Sequence, residues 1–225
     1  MVWIIPLIAT LISLRLTYSL ARQYLERKKT HQLLYAISLF LFTIAAFGEF
    51  FAEWKGFTPF MYKLYYFPAI TLVPVMASGT LYLLVREKRW IPHIFLIYSA
   101  ILSIWMLILL IPVIPDPNVI GQNISVGGQG MPTFIRKFSF PLSGIGGIVL
   151  IVGALASWWK TRYKGNLWIA GGAIVMSFGG KLSQMGLAEW LPVSELLGII
   201  LLYYGVTIHP SSKGEAQKVN EPVAE

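Results

Sequence analysis

The chain contains seven long apolar segments, and these segments constrain its fold more than any other feature. They cover approximately residues 2–20, 32–52, 60–85, 91–113, 137–158, 166–187 and 191–208, with charged residues, prolines or glycines between them. About 20 apolar residues in a helix cross the ~30 Å hydrocarbon core of a bilayer. A backbone in lipid must satisfy its own hydrogen bonds, and these segments are too long and too continuously apolar for barrel strands. The sequence therefore predicts an all-α integral membrane protein with seven transmembrane helices.

The composition agrees with this class and excludes several others. Apolar residues make up 56% of the 225 residues and charged residues only 12%, which is typical of a polytopic membrane protein. The chain has no cysteine, so disulfides, thiolate metal sites and a cysteine nucleophile are excluded. The net charge of +8 comes from short basic clusters between apolar segments. We therefore expect the lipid bilayer, and not nucleic acid, as the partner of these charges.

Lysine and arginine placement predicts the orientation. Basic residues cluster in the loops that follow the first, third and fifth segments, at 22–29, 86–89 and 160–164. The opposite loops hold Lys55 in one case and no basic residue between Pro112 and Ile135 in the longest. By the positive-inside rule the N-terminus is outside and the C-terminus inside. Residues 1–208 then form the transmembrane domain, and the polar residues 209–225 form a cytoplasmic tail that cannot support a packed core.

A shift of about 134 residues aligns the chain with itself. Matched positions are Pro6 with Pro141, Gln32-Leu33 with Asn166-Leu167, Ala36 with Ala170, Thr43 with Ser177, and Pro59 with Pro192. The shift would relate residues 1–85 to 137–208 in the same orientation, with helix 91–113 as the linker that a parallel repeat requires. Chance alignment of apolar helices is the alternative. We therefore carry a parallel 3+1+3 repeat as a hypothesis.

This layout resembles that of the SWEET sugar transporters and their PQ-loop relatives, in architecture alone. The Pro-Gln dipeptide of the second group is missing, since Leu7 follows Pro6 and Leu142 follows Pro141. No family residue can be carried over. The chain is also similar in size and span count to many small bacterial seven-span proteins, so we expect a prokaryotic cell membrane as its location.

Lys181 is the charge that most needs an explanation. It follows fifteen uncharged residues, from Asn166 to Gly180, and would lie about 8 Å below the outer boundary of the sixth segment. Glu195 would lie at a similar depth in the seventh segment, about 6 Å from its outer end. Ionisable groups at such depth mark a site, a paired partner or a snorkelling side chain. The matched depths predict a Lys181–Glu195 ion pair.

Other polar residues of the outer half are candidates to line a cavity beside this pair. Glu49 and Glu53 are four residues apart and share one helix face. Trp105 lies within the fourth segment, where its ring could stack on a solute. The predicted ligand-binding residues are Lys181, Glu195, Glu49, Tyr62, Lys63, Trp105 and Gln184. The alternative to solute binding is that the charged side chains are solvated at the membrane interface and that Trp105 packs against lipid.

No sequence motif reveals a reaction. The chain lacks H-E-x-x-H, G-x-S-x-G and P-loop patterns, and its three histidines fall at cytoplasmic segment ends, so we expect no metal and no cofactor. Whether it is an enzyme stays open. The first hypothesis is a transporter-like protein that binds or translocates a small solute in its outer half. The alternatives are an enzyme acting on a lipid or isoprenoid by carboxylate chemistry, and a sensor or assembly subunit in which the ion pair is structural. A homo-oligomer or a membrane-protein partner is compatible with all three.

We predict that a single cysteine at Ser125 reacts with an impermeant thiol reagent on intact cells, because the orientation puts loop 113–132 outside. A cysteine at Ser212, in the tail, is the matched control and should react only after permeabilisation. The native chain contributes no background because it has no cysteine. The reverse pattern of labelling would contradict the orientation.

Overall fold

The computed structural model describes residues 3–85, 87–120, 127–162, 164–187 and 189–207, and every regular element in these ranges is helical. The elements are α1 (Ile4–Arg27), α2 (Thr30–Lys55), α3 (Pro59–Leu84), α4 (Trp90–Leu110), α5 (Pro117–Ile120), α6 (Thr133–Arg136), a π-helical turn (Phe140–Gly144), α7 (Ile145–Thr161), α8 (Gly165–Gln184) and α9 (Trp190–Thr207). The predicted tail lies outside the described residues. The predicted all-α fold is confirmed.

Five helical segments are long and apolar enough to cross a membrane. They are Ile4–Arg27, Thr30–Lys55, Pro59–Leu84, Trp90–Leu110 and Thr133–Thr161. They indicate a multi-pass integral membrane protein. Helices α8 and α9 form where the sixth and seventh spans are predicted but are not among these five, and the apolar part of α9, Trp190–Gly205, is shorter than the others. The count of seven spans therefore stays a prediction.

The large helices pack as a ring with one helix outside it. Each of α1, α2, α3, α7, α8 and α9 contacts the next in that order, and α9 returns to α1. Helix α4 packs against α3 and the π-helical turn instead. We call the two ends of this bundle the Glu49 end, where α2 finishes, and the Lys28 end, where α2 begins.

The contact between α3 and α7 is built around a proline. Pro74 has no backbone N–H, so the carbonyl of Ile70, one turn earlier, loses its helical donor. The Ser143 hydroxyl in the π-helical turn donates to that carbonyl at 3.0 Å. A Cβ on Gly146 would lie 2.9 Å from the Pro74 nitrogen, so only glycine allows α7 to come this close. Ser143 and Gly146 therefore hold α7 against the interrupted turn of α3.

The turns that join α1 to α2 and α7 to α8 are alike. Lys28 and Arg162 stand 134 positions apart, and both are left-handed, with φ of 53° and 54°. Each donates its backbone N–H at 2.7 Å to the carbonyl four residues back, and each cation lies 5.5 Å from the aromatic ring of that same residue, Tyr24 or Trp158. The two chain segments thus end their helices in the same way.

A side-chain hydrogen bond next to the first turn also matches one next to the second turn. The Gln32 amide donates to Gln23 at 3.3 Å, and the Asn166 amide donates to Ser157 at 3.0 Å. Both members of the second bond lie 134 positions after those of the first. In each case the amide at the start of one helix is tied to the end of the helix before it.

We predict that Gly146→Ala lowers the free energy of unfolding by about 1–3 kcal/mol, because its methyl group would overpack Pro74. The matched control is Gly180→Ala, where a Cβ meets nothing within 4 Å. That control should be neutral or stabilising by about 0.5–1 kcal/mol because alanine favours the helix. Thermal unfolding of the detergent-solubilised protein measures both effects, and equal shifts in the two variants would contradict the close α3–α7 contact.

Candidate functional site

Three carboxyl side chains meet at the Glu49 end of the ring. Glu49 and Glu53 come from successive turns of α2, and Glu195 comes from the second turn of α9. Glu49 is fully buried, whereas Glu53 and Glu195 are partly buried. The Glu195 carboxyl is in hydrogen-bonding contact with Glu49, and all three groups are close enough to interact electrostatically. We call Glu49, Glu53 and Glu195 the carboxyl cluster.

Tyr65 reaches the carboxyl cluster from α3. Its hydroxyl donates to Glu49 Oε1 at 3.1 Å. This reach depends on Gly48, the residue before Glu49, because a Cβ there would lie 2.8 Å from the Tyr65 Cβ. A side chain at position 48 would push α3 away from α2 and lengthen the hydrogen bond. The small residue next to the acid therefore positions the tyrosine.

An aromatic layer covers the cluster on its α3 side. Tyr62 and Tyr65 stack with ring centroids 6.0 Å apart, and Phe57 packs on both, at 5.0 and 5.3 Å. Tyr62 has no solvent exposure, and Tyr66 and Phe57 are buried as well. The buried Glu49 carboxyl is thus shielded from water on this side by aromatic rings, and a charge there is costly unless it is compensated.

The ion pair predicted between Lys181 and Glu195 is not formed. Lys181 is exposed on α8, and the one ion pair within the described ranges joins Arg22 to Glu26 on the surface of α1. Glu195 instead turns toward α2 and contacts Glu49. Equal depth along two neighbouring helices was not sufficient, because the two side chains leave their helices in different directions.

Of the remaining predicted binding residues, Lys63 makes a structural hydrogen bond and Trp105 lies on the surface. Lys63 donates from Nζ to the Ile111 carbonyl at 2.6 Å and so caps the C-terminal end of α4. Trp105 is 55% exposed and packs edge-on against Phe138, away from the cluster. The side chain of Gln184 lies outside the described residues. None of these observations tests whether a solute binds them.

Two openings flank the ring without reaching the carboxyl cluster. A surface groove of about 370 Å³ runs outside α4, between Leu109, Val113 and Phe134. A void of about 40 Å³ lies inside the ring, lined by Leu39, Phe42, Leu72, Val73, Met76, Leu150, Ala173, Met176, Ser177 and Leu202. Leu202 follows Glu195 by seven residues, so this apolar centre lies about 10 Å from the cluster toward the Lys28 end.

The carboxyl cluster is not a metal-ligand set. Among the described residues, no three His, Asp or Glu side chains are grouped so that they could hold a metal ion. The Glu53 Oε2 atom is buried and has no hydrogen-bond partner in that part of the chain, and neither Glu53 nor Glu195 pairs with a described basic side chain. Among the described residues, no basic side chain therefore forms an ion pair with Glu53 or Glu195.

The predicted binding residues included Glu49 and Glu195 but not Glu53 or Tyr65, although the sequence placed Glu53 on the same helix face as Glu49. The spacing of Glu49 and Glu53 was the available signal for Glu53. For Tyr65, the signal was only its place one turn after Tyr62. No protein-family model, curated protein or solved structure matches this chain.

We predict that the effects of Lys181→Met and Glu195→Gln on the free energy of unfolding add to within about 0.5 kcal/mol, because the side chains do not touch. Glu49→Gln and Glu195→Gln should instead couple by about 0.5–3 kcal/mol, because these carboxyls are in contact. Double-mutant cycles from thermal unfolding measure both values. Strong coupling of Lys181 to Glu195, with none between the two acids, would restore the ion pair and contradict the cluster.

Proposed function

We propose that this protein binds and translocates a small cationic solute through the carboxyl cluster. The observation that carries the proposal is the contact of Glu195 on α9 with Glu49 on α2. This contact brings acidic groups from both ends of the sequence into one buried region of low dielectric constant. Acidic side chains inside a membrane bundle are costly and are kept mainly at ion or substrate sites.

The chemistry of the cluster favours exchange of a cation against a proton. A carboxylate has no hydrogen-bond donor, so the contact between Glu49 and Glu195 requires a proton on one of them. A cation entering between them would displace this proton and restore both negative charges. Glu53, with its unpartnered Oε2, supplies a further acceptor one turn away. A small organic cation such as an ammonium or guanidinium group suits these acceptors, because its N–H groups form charge-assisted hydrogen bonds with carboxylates.

The arrangement of helices supports a transport mechanism with two moving halves. In the ring, α3 of the first half contacts α7 of the second, and α9 of the second half contacts α1 of the first. A two-fold axis along the membrane normal would produce this pair of contacts. The matching turns at Lys28 and Arg162, and the matching amide bonds of Gln32 and Asn166, favour the parallel repeat. Residues 1–85 and 137–208 would then rock against each other across the Pro74 contact, with α4 as the linker.

The apolar centre of the ring supplies the barrier that such a mechanism needs. Repeat-related residues line the void inside the ring, Leu39 with Ala173 and Phe42 with Met176. They separate the carboxyl cluster from the Lys28 end. The bias of basic residues toward the Lys28 end supports an orientation with the Glu49 end outside, in the cell membrane of a prokaryote. The solute would enter from outside and cross the apolar centre when the halves rock.

We predict that guanidinium or methylammonium stabilises the detergent-solubilised protein and releases a proton on binding. At 100 times the dissociation constant the stabilisation should reach about 2.7 kcal/mol. Glu195→Gln should abolish both responses. Glu26→Gln is the matched control, because Glu26 is an exposed acid of α1 paired with Arg22, and it should leave both responses intact.

Thermal unfolding at constant ionic strength, and pH recording in a weakly buffered solution, measure these effects. Uptake of the labelled cation into proteoliposomes then separates transport from binding. The proposal fails if neither cation shifts the unfolding midpoint, or if Glu195→Gln responds as the native chain does. Stabilisation by an isoprenoid or lipid in place of a cation would favour the membrane-enzyme alternative.

A further inference from the structure

A short glycine-rich segment crosses the Glu49 end of the ring. Residues 127–130, which we call the strap, have the sequence Gly-Gly-Gln-Gly. The strap touches α3 on one side and α8 and α9 on the other. It therefore joins the two proposed halves directly above the aromatic layer that covers the carboxyl cluster.

The Tyr62 hydroxyl holds the strap to α3 as both a hydrogen-bond donor and a hydrogen-bond acceptor. It donates to the Gly127 carbonyl at 2.7 Å and accepts from the Gly130 N–H at 3.0 Å. The backbone packs closely on the rings, since a Cβ on Gly128 would lie 3.1 Å from Tyr66 and one on Gly130 would lie 3.0 Å from Tyr62. Glycine permits this approach and adds no side chain that must be buried.

The other side of the strap rests on the second half. The Gln129 amide donates to the Ser183 carbonyl in the last turn of α8, at 3.1 Å. A Cβ on Gly127 would lie 3.6 Å from the Ser183 Cβ and 3.9 Å from the Leu191 side chain. Leu191 precedes Glu195 by one turn of α9. Gly127 thus lies near the first turn of α9, one turn before Glu195.

The strap is attached by hydrogen bonds and by the burial of Gly127 and Gly130, and the described residues nearest to it on either side are anchored by burial. Met131 directly after it and Ile120 before it are 3% and 2% exposed and belong to the apolar core. Breaking the Tyr62 and Gln129 bonds would release residues 127–129 from α3 and α8, while the Gly130 carbonyl would keep its bond from the Asp116 N–H at 3.0 Å and these anchors would stay in place. Because Tyr62 stacks on Tyr65, which binds Glu49, release of the strap would also loosen the cover of the cluster.

We propose that residues 127–130 are a gate that closes the carboxyl cluster to the outer solution, with the Tyr62 hydroxyl as its latch. The gate rests on the proposed function, because it regulates access to the same site and takes the Glu49 end as the outer one. Closure ties α3 to α8, so the halves separate at this end only when the latch opens. Solute entry would then be coupled to the rocking motion.

The test uses a buried cysteine as a reporter of access. Ala52 has no solvent exposure and lies on α2 between Glu49 and Glu53, in the core cluster that contains Tyr62 and Tyr65. In Ala52→Cys, the rate of modification by a membrane-impermeant methanethiosulfonate measures opening, with no solute present. Adding Tyr62→Phe or Gln129→Ala should raise this rate at least tenfold. Tyr18→Phe, at a 70% exposed tyrosine of α1, is the matched control and should not change it.

A crosslink tests the gate without removing the latch. The 3.6 Å separation of the Cβ positions at Gly127 and Ser183 suits a disulfide. In Gly127→Cys/Ser183→Cys/Ala52→Cys, oxidation should lower the modification rate of the reporter at least tenfold, and reduction should restore it. A reporter rate that neither the latch variants nor the crosslink alters overturns the gate. Cation binding is judged separately, by its own titration, so failure of the gate and failure of the proposed function can be told apart.

Discussion

Lipid provides no hydrogen-bond donor for a free carbonyl, and this constraint shapes the contact on which the bundle depends. Pro74 removes the donor of the Ile70 carbonyl inside α3, and Ser143 replaces it from the π-helical turn before α7. Gly146 then brings α7 against the proline ring. One backbone group that cannot stay unsatisfied thus joins the first three helices to the last three. The ring closes on the far side through α1 and α9.

At the Glu49 end, the polar groups likewise need hydrogen-bond partners within the bundle. Tyr65 donates to Glu49, Glu195 contacts Glu49, and Tyr62 satisfies two backbone groups of the strap. The first contact joins α2 to the next helix, α3, and the others connect elements that are distant in the chain. The acids, the aromatic layer and the strap are therefore connected by contacts, through which a change in the strap would reach the acids by way of Tyr62 and Tyr65. This connection links the proposed gate to the proposed binding site.

Roles that depend on the direction of a side chain could not be predicted from the sequence. Lys181 and Glu195 have similar depths, but the first faces outward from α8 and the second faces α2. Trp105 has the depth of a cavity residue but lies on the outer surface of α4. Lys63, a predicted binding residue, donates to the Ile111 carbonyl at the end of α4. Depth follows from counting residues along a helix, whereas direction depends on how that helix is rotated against its neighbours.

The sequence by itself determined that the chain is helical, that it belongs in a membrane, and approximately where each helix begins and ends, because apolar length and backbone hydrogen bonding are local properties. It also contained the 134-residue correspondence that reappears in the turns at Lys28 and Arg162. Only the tertiary structure decided which acids meet, that Ser143 satisfies Ile70, and that the strap lies on Tyr62. These contacts depend on close approaches at Gly48, Gly127 and Gly146, where the absence of a side chain matters only once the opposing surface is known.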